Sequence, residues 1–268
     1  MQTLERAVMS RESVGRRLTL PWHHMNEHIS LRTKELVMMA GAPGGGKSTV
    51  AVNMAMQMEV PLLYLAQDSP ASVLSRMAAI AMQQETRKTF RAIADSDQRI
   101  VVAELMADVR PTLVFERGAM TLDDIKERVE ALHEWLGEFP PIVVIDNLID
   151  MIIPGTTHGD NTFYTTALPY LKQMANEYNL TVICLHHVTR GGGRDNPHGR
   201  GRAGIALNDL LFAGEREARH VWGVYNDGGD HVFLQILKQQ DGPADPDGKM
   251  KLALKWYPKL GRLMSATP

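Results

Sequence analysis

A glycine-rich run at residues 41–49 has the spacing of a phosphate-binding loop, G-x-x-x-x-G-K-[ST], and stands between an apolar run and a helical pattern. In such a loop, glycines let main-chain N–H groups converge on phosphate oxygens at the start of the following helix. Lys47 then reaches the β and γ phosphates, and the Ser48 hydroxyl ligates magnesium. The alternative is a glycine-rich turn with an incidental lysine. The motif predicts that ATP and Mg²⁺ are bound by Gly41, Ala42, Pro43, Gly44, Gly45, Gly46, Lys47, Ser48 and Thr49.

An acidic residue directly follows a second apolar run. Ile142–Ile145 consists of β-favouring residues, and Asp146 comes next. A carboxylate at the end of a buried strand is costly to bury unless it holds a cation or that cation's hydration shell. A phosphate site of this kind needs such an acid beside its magnesium. Asp146 is therefore the candidate metal-side carboxylate; the alternative is a cap of the next loop.

A third strand end supplies a candidate for activating water. Asp68 follows the apolar run Leu62–Ala66, and hydrolysis needs a group that orients or deprotonates the attacking water. Its alternative role is an acid favoured by the dipole of the helix that starts at Ser69 and Pro70.

Two histidines end a further apolar run. His186 and His187 follow Val182–Leu185 and lead into a segment rich in glycine and arginine. A residue at this point can sense the γ-phosphate and move the following loop. Adjacent histidines on a strand point to opposite faces, which argues against joint metal ligation.

The segment from residue 190 to 202 is a candidate nucleic-acid contact. Its only acid is Asp195, and five glycines separate its cations. Guanidinium groups on a loop with few apolar residues suit contact with phosphate backbones without base reading. The alternative is a solvated flexible loop. The candidate DNA-binding residues are Arg190, Arg194, Arg200 and Arg202.

Composition limits the classes of protein to consider. A formal net charge of -2 argues against a uniformly basic protein that coats nucleic acid. Cys184 is the only cysteine, which excludes an internal disulfide and a multi-cysteine metal site and fits a reducing cytoplasm. No run is apolar and long enough to cross a bilayer, and Met1–Arg17 has no secretion signal. We expect a cytoplasmic protein with no membrane partner.

The elements that must position these residues follow an α/β pattern. From Glu35 onward, apolar strands alternate with amphipathic helices, which predicts a mostly parallel central sheet flanked by helices. Predicted parallel strands are Leu36–Ala40, Leu62–Ala66, Thr112–Phe115, Ile142–Ile145 and Thr181–Leu185. Beyond residue 217, the pattern predicts antiparallel strands at Val221–Tyr225, Val232–Leu237 and Met250–Trp256.

Helix ends and one domain boundary can also be predicted. Pro70 starts one helix, and a capping box at Thr121 and Asp124 starts another that stops near Gly137. Residues 1–33 are charged and lack an apolar strand, so we expect an N-terminal appendage followed by an ATPase domain over residues 34–268. The spacing of Leu4, Val8 and Met9 predicts one apolar face of a short helix, which would need a surface to dock on.

From about residue 18 to 262, the chain resembles the RecA-like ATPase domain of DnaB-like replicative helicases, in the single-domain form of phage and plasmid relatives. Leu62–Pro70, with Arg76 downstream, is similar to the family's strand that ends in a catalytic Glu, and Asp68 falls on that Glu. Val182–Arg190 is similar to the strand that ends in Ser-Gln-Leu-Asn-Arg. The resemblance implies that Arg76 belongs to the nucleotide site, that His187 senses γ-phosphate and that the Gly/Arg-rich segment is the DNA-binding loop.

Near the C-terminus, Ile236–Pro243 resembles the family's Lys-Gln-Arg-Asn-Gly-Pro element, whose Lys and Arg reach into the neighbouring subunit's ATP. Lys238 is retained, but Gln240 replaces the arginine, and a neutral amide does not supply that charge. The resemblance further implies a homo-oligomer, a hexameric ring or helical assembly, with residues 1–17 docked on the adjacent subunit.

The sequence thus predicts a Mg-ATP-dependent, DNA-associated ATPase of the helicase or translocase type that acts in replication on single-stranded DNA. Two alternatives stay open. One is a RecA- or RadA-like recombination ATPase, which shares the fold. The other is a nucleotide-switched assembly protein with slow hydrolysis, which Gln240 and the Asp at position 68 favour and the arginine-rich segment opposes.

Overall fold

The computed structural model describes residues 15–67, 70–157, 160–188, 204–210 and 215–266. Within them lie strands β1 (Leu36–Gly41), β2 (Leu62–Ala66), β3 (Leu113–Arg117), β4 (Ile142–Asp146), β5 (Thr181–His187), β6 (His220–Asn226), β7 (His231–Gln239), β8 (Lys251–Tyr257) and β9 (Arg262–Ser265). The helices are α1 (Lys47–Gln57), α2 (Pro70–Met82), α3 (Thr86–Ala94), α4 (Ser96–Val109), α5 (Leu122–Leu136) and α6 (Asn161–Glu177).

These strands form one sheet in the order β3-β2-β4-β5-β1-β6-β7-β8-β9. Strands β1 to β6 pair in parallel, and β6 to β9 pair as antiparallel neighbours. The predicted α/β fold, with a mostly parallel sheet and C-terminal antiparallel strands, is confirmed. β9 is an addition to the prediction.

The central strands β1, β2 and β4 are apolar and buried along nearly their whole length because helices cover both faces of the sheet. One face packs against α1 and includes Val37, Tyr64 and Val144. The other packs against α5 and α6 and includes Met38, Leu65 and Val143. Consecutive residues along a strand therefore point to opposite faces of the sheet. This alternation decides to which face each polar residue at a strand end points.

Helix ends follow the predicted signals. The Thr121 hydroxyl accepts from the Asp124 N–H and the Asp124 carboxylate accepts from the Thr121 N–H, which is the expected capping box. Gly137 ends α5 with a φ of 77°. The start of α6 was not predicted: Asp160 caps this helix by accepting from the Phe163 N–H. None of the helices in the described ranges is long and apolar enough to span a membrane.

Residues 15–33 pack on the face of the sheet that carries α1. Trp22 and Met25 are buried in that core, and the Trp22 indole N–H donates to the Leu263 carbonyl at 3.3 Å. The division between an appendage and an ATPase domain after residue 33 stays a prediction. The predicted docking helix falls largely in residues 1–14, outside the described ranges.

Candidate functional site

The glycine-rich loop joins β1 to α1 at the carboxyl edge of the parallel strands. Gly44 and Gly46 have φ values of 76° and 105°, a region that favours glycine. Gly46 is the N-cap of α1, and no side chain caps the helix there. The first-turn N–H groups are therefore left for another acceptor, which makes this helix start suited to an anion.

Close packing explains a further glycine in the loop. A Cβ atom at Gly41 would lie 2.3 Å from the main-chain carbonyl oxygen of Val224 on β6. Any larger residue at position 41 would have to push β1 and β6 apart. The neighbouring strand therefore fixes the path of the loop.

Lys47 is buried, and its amine lies at the base of the loop. Its Nζ donates to the carbonyl oxygens of Gly41 at 2.8 Å and Ala42 at 3.1 Å, and it lies 3.4 Å from Nδ1 of His187. Burial lowers the pKa of Lys47 to about 8, although the Asp146 carboxylate opposes this shift. The positive charge of the amine is thus poorly compensated by its surroundings, and a bound phosphate would compensate it.

Asp146 is buried at the end of β4, where two hydroxyl groups hold its carboxylate. Ser48 donates to Oδ1 at 3.1 Å, and Tyr64 donates to Oδ2 at 2.7 Å. Burial raises the pKa of Asp146, while the hydrogen bonds from Tyr64 and Ser48 and the charges of Lys47 and Arg76 oppose that rise. The structure thus brings together the two predicted metal ligands, Ser48 and Asp146.

The side chains of the two histidines that end β5 point to opposite faces of the sheet, as predicted for consecutive strand residues. Gly41 on β1 pairs with His187, whose ring reaches Lys47. His186 faces the opposite core, where its ring packs edge-on against Tyr164 with centroids 5.2 Å apart. Burial lowers the pKa of His186 to about 3, so this imidazole is neutral. Only His187 is placed beside the phosphate-binding loop.

A cleft of about 630 Å³ extends from the loop. The predicted residues that line it include Pro43, Lys47, Ser48, Arg76 and His187. Arg76 on α2 also donates to the Ser72 hydroxyl at 3.1 Å. The cleft continues between α3 and the β8–β9 turn, where its lining residues were not foreseen: Thr86, Arg87, Trp256, Pro258 and Gly261.

Asn53 on α1 fixes the β8–β9 turn beside this cleft. Its amide group donates to the carbonyl oxygens of Thr49 and Gly261, each at 2.9 Å, and its carbonyl oxygen accepts from the Leu263 N–H at 2.8 Å. The side chain is fully buried. The buried Asn53 side chain therefore joins α1, which starts at the phosphate-binding loop, to the turn at the far end of the cleft.

Lys238 and Gln240 lie near the amino ends of the parallel strands, away from the carboxyl ends that carry the phosphate-binding loop. Lys238 pairs with Val221 near the start of β6, whereas the phosphate-binding loop follows the end of β1. Its amine donates to the main-chain carbonyls of Glu215 at 2.6 Å and Ala218 at 2.7 Å. Gln240 is exposed. Neither residue lines the cleft of its own chain, and their action on a neighbouring subunit stays a prediction.

Several predicted site residues lie outside the described ranges, and their roles stay predictions: Asp68, Arg190, Arg194, Arg200 and Arg202. Within the described ranges, no three or more His, Cys, Asp or Glu side chains group together as a metal cluster.

Comparison with known proteins gives a family match and several relatives. The family model AAA_25, described as an AAA domain, matches residues 27–193. The Gene 65 protein of Mycobacterium phage L5 is 26% identical over 257 residues, which are 93% of this chain and 93% of that protein. The DNA repair protein RadA of Synechocystis sp. is 25% identical over 191 residues, which are 69% of this chain and 34% of that protein.

Two solved structures share the fold. One, an isolated ATPase domain, superposes with a TM-score of 0.76 at 17% identity, covering 98% of this chain and 95% of that one. The other, a DnaB-like replicative helicase solved in a study of its interactions with primase, gives a TM-score of 0.74 at 17% identity, covering 98% of this chain and 65% of that one. The predicted RecA-like fold of DnaB-like ATPase domains is therefore confirmed.

Proposed function

The chain belongs to the AAA domain family AAA_25, and on that premise we propose that it is a Mg-ATP-dependent ATPase that acts on DNA, as a DnaB-like helicase or translocase in phage or plasmid replication. The observation that carries the proposal is that Lys47, Ser48 and His187 line one cleft and that Ser48 donates to the carboxylate of Asp146 beside it. The four residues end or follow three separate parallel strands, and the carboxyl ends of such strands are where ligands of open α/β sheets bind.

The loop and Lys47 bind the triphosphate. The uncapped N–H groups at the start of α1 donate to phosphate oxygens. The Lys47 ammonium exchanges its hydrogen bonds to the carbonyls of Gly41 and Ala42 for contacts with the β and γ phosphates. His187 lies 3.4 Å from this amine, so it is placed to respond to the terminal phosphate.

Ser48 and Asp146 fit a magnesium ion, because a hydroxyl and a carboxylate are the hard oxygen ligands that Mg²⁺ takes beside waters and phosphates. When bound, Mg²⁺ neutralises charge on the phosphates. Asp146 would hold the ion through Oδ1, the oxygen that accepts from Ser48 in this structure. Asp68 is assigned to orienting water, since it follows β2, the strand beside β4.

Work on DNA requires further copies of the chain and a DNA contact. We assign Lys238 and Gln240 to the nucleotide of a neighbouring subunit in a hexameric ring or helical assembly. The DNA contact is assigned to the arginines between residues 190 and 202, which follow directly on β5 and its His187. Single-stranded DNA is the expected substrate.

Turnover measured with and without single-stranded DNA tests this function. Lys47→Ala should abolish ATP turnover, because the phosphate loses its buried cation, whereas Lys126→Ala on α5 should not, since Lys126 does not line the cleft. An Arg194/Arg200/Arg202 triple alanine variant should keep basal turnover and lose most stimulation by DNA. Equal stimulation of that variant and the parent protein would remove the assigned DNA loop.

Two observations support alternative functions. The match to RadA supports a recombination ATPase, which would promote strand pairing instead of displacing a strand from a forked duplex. Gln240 at the position of the family's arginine supports a nucleotide-switched assembly protein. That protein would change oligomeric state with ATP, with slow turnover that DNA does not stimulate.

A further inference from the structure

Tyr64 and Asp146 lie on adjacent strands and on the same face of the sheet. Ala66 on β2 pairs with Asp146 on β4, and Tyr64 is two residues before Ala66. Its phenol donates to Oδ2 of Asp146 at 2.7 Å. Both side chains are buried, so water does not compete for this hydrogen bond.

The two oxygens of the Asp146 carboxylate have different partners. Oδ1 accepts from Ser48 on α1, and Oδ2 accepts from Tyr64. Among the hydrogen bonds of the described residues, Tyr64 is the only side chain that donates to Oδ2. Ser48 is itself a metal ligand in the proposed function and exchanges its hydrogen bond for the metal. The phenol has no such second role.

The phenol is held firmly by the core. Tyr64 is fully buried, and its ring stacks on Phe115 of β3 with centroids 6.1 Å apart and an interplanar angle of 18°. β2 lies between β3 and β4 in the sheet, so Tyr64 is fixed from both sides. A hydroxyl on such a support can set the orientation of the carboxylate, because a single donor at a fixed point defines the carboxylate plane.

We propose that Tyr64 is a positioning residue for the magnesium site, which holds Oδ2 of Asp146 so that Oδ1 faces Ser48 and the metal. This inference rests on the proposed function of the cleft. Residues that orient metal ligands change metal affinity by roughly 10- to 100-fold when they are replaced. Tyr64 acts through Asp146 and contacts neither nucleotide nor metal.

The test compares metal binding with nucleotide binding in Tyr64→Phe, which keeps the ring and removes the hydroxyl. Mn²⁺ serves as the probe, because its binding to the protein with a non-hydrolysable ATP analogue can be followed by electron paramagnetic resonance. We expect about tenfold weaker Mn²⁺ binding. Binding of the analogue in EDTA should stay unchanged, since the loop and Lys47 are intact.

Tyr164→Phe is the matched control, because it removes a buried tyrosine hydroxyl on the opposite face of the sheet and should leave Mn²⁺ affinity unchanged. Equal Mn²⁺ affinity of Tyr64→Phe and the parent protein overturns the proposal. Failure of the parent protein to bind the analogue at all overturns the proposed function instead.

A second measurement does not depend on the folding of Tyr64→Phe. 3-Fluorotyrosine placed only at position 64 keeps the shape and the hydroxyl of the side chain. Its fluorine resonance should shift when Mg²⁺ is added to the analogue complex, because the phenol shares a carboxylate with the metal. A resonance that Mg²⁺ leaves unchanged contradicts the proposal.

Discussion

Binding of Mg-ATP to this protein should take up a proton at mildly alkaline pH. Lys47 is buried, and desolvation lowers its pKa to about 8. A triphosphate beside the amine favours the ammonium form and raises that pKa again. Above pH 8, the complex therefore holds a proton that the free protein partly lacks.

The size of the uptake follows from the pKa. At pH 8.5 a lysine whose pKa is about 8 is roughly three-quarters deprotonated, so binding takes up about 0.75 proton, against about 0.1 at pH 7. The same equilibrium weakens Mg-ATP affinity about fourfold between these pH values. Isothermal titration in buffers of different ionisation enthalpy measures the uptake directly, as the slope of binding enthalpy against buffer enthalpy.

A control separates Lys47 from His187, whose ring lies beside it. His187→Gln removes the imidazole 3.4 Å from the amine and should keep the uptake at pH 8.5. Binding without proton uptake at pH 8.5, or with equal uptake at pH 7 and 8.5, would refute the assignment of Lys47 as the buried cation that phosphate neutralises.

Three further predictions concern single substitutions. Gly41→Ala should weaken Mg-ATP binding at least about tenfold in a fluorescence titration, because its Cβ would lie 2.3 Å from the Val224 carbonyl oxygen; unchanged affinity would show that the loop adapts. Asn53→Ala should lower the free energy of unfolding in urea by about 3 kcal/mol, since buried main-chain groups of α1 and the β8–β9 turn lose their partner; an equal free energy would contradict this. Gln240→Arg should raise DNA-stimulated ATP turnover at least about tenfold if residue 240 faces a neighbour's nucleotide; no increase would remove it from that site.

The parallel sheet could be predicted because its signal is local. Each parallel strand is a short apolar run with a polar residue or glycine at its carboxyl end, and those ends necessarily meet at one edge. Gly41, Asp146 and His187 could therefore be placed at one site without knowing any contact. The α5 capping box was readable for the same reason, since its two partners are three residues apart.

Contacts between distant segments could not be predicted in this way. The hydrogen bond from Tyr64 to Asp146 depends on strand register, which alternation alone leaves undetermined. Asn53 reaches Gly261 across most of the chain, and a single polar residue in a mostly apolar helix gave no sign of these distant partners. β9 is four residues long and mixes polar with apolar side chains, so its pattern did not stand out.

The far end of the cleft was missed for a related reason. Trp256 fits an ordinary strand and Arg87 an ordinary helix surface, and only the fold brings the two segments together. In contrast, Lys238 was assigned to a neighbouring chain by resemblance alone, and that assignment stays a prediction.

A crystal structure with Mg²⁺ and a non-hydrolysable ATP analogue tests the central claim most directly. We expect Lys47 Nζ to leave the Gly41 and Ala42 carbonyls for the β and γ phosphates, with Ser48 and Asp146 on the metal side. A triphosphate bound away from the 41–49 loop, or a Lys47 amine still on those carbonyls in the complex, would contradict the account.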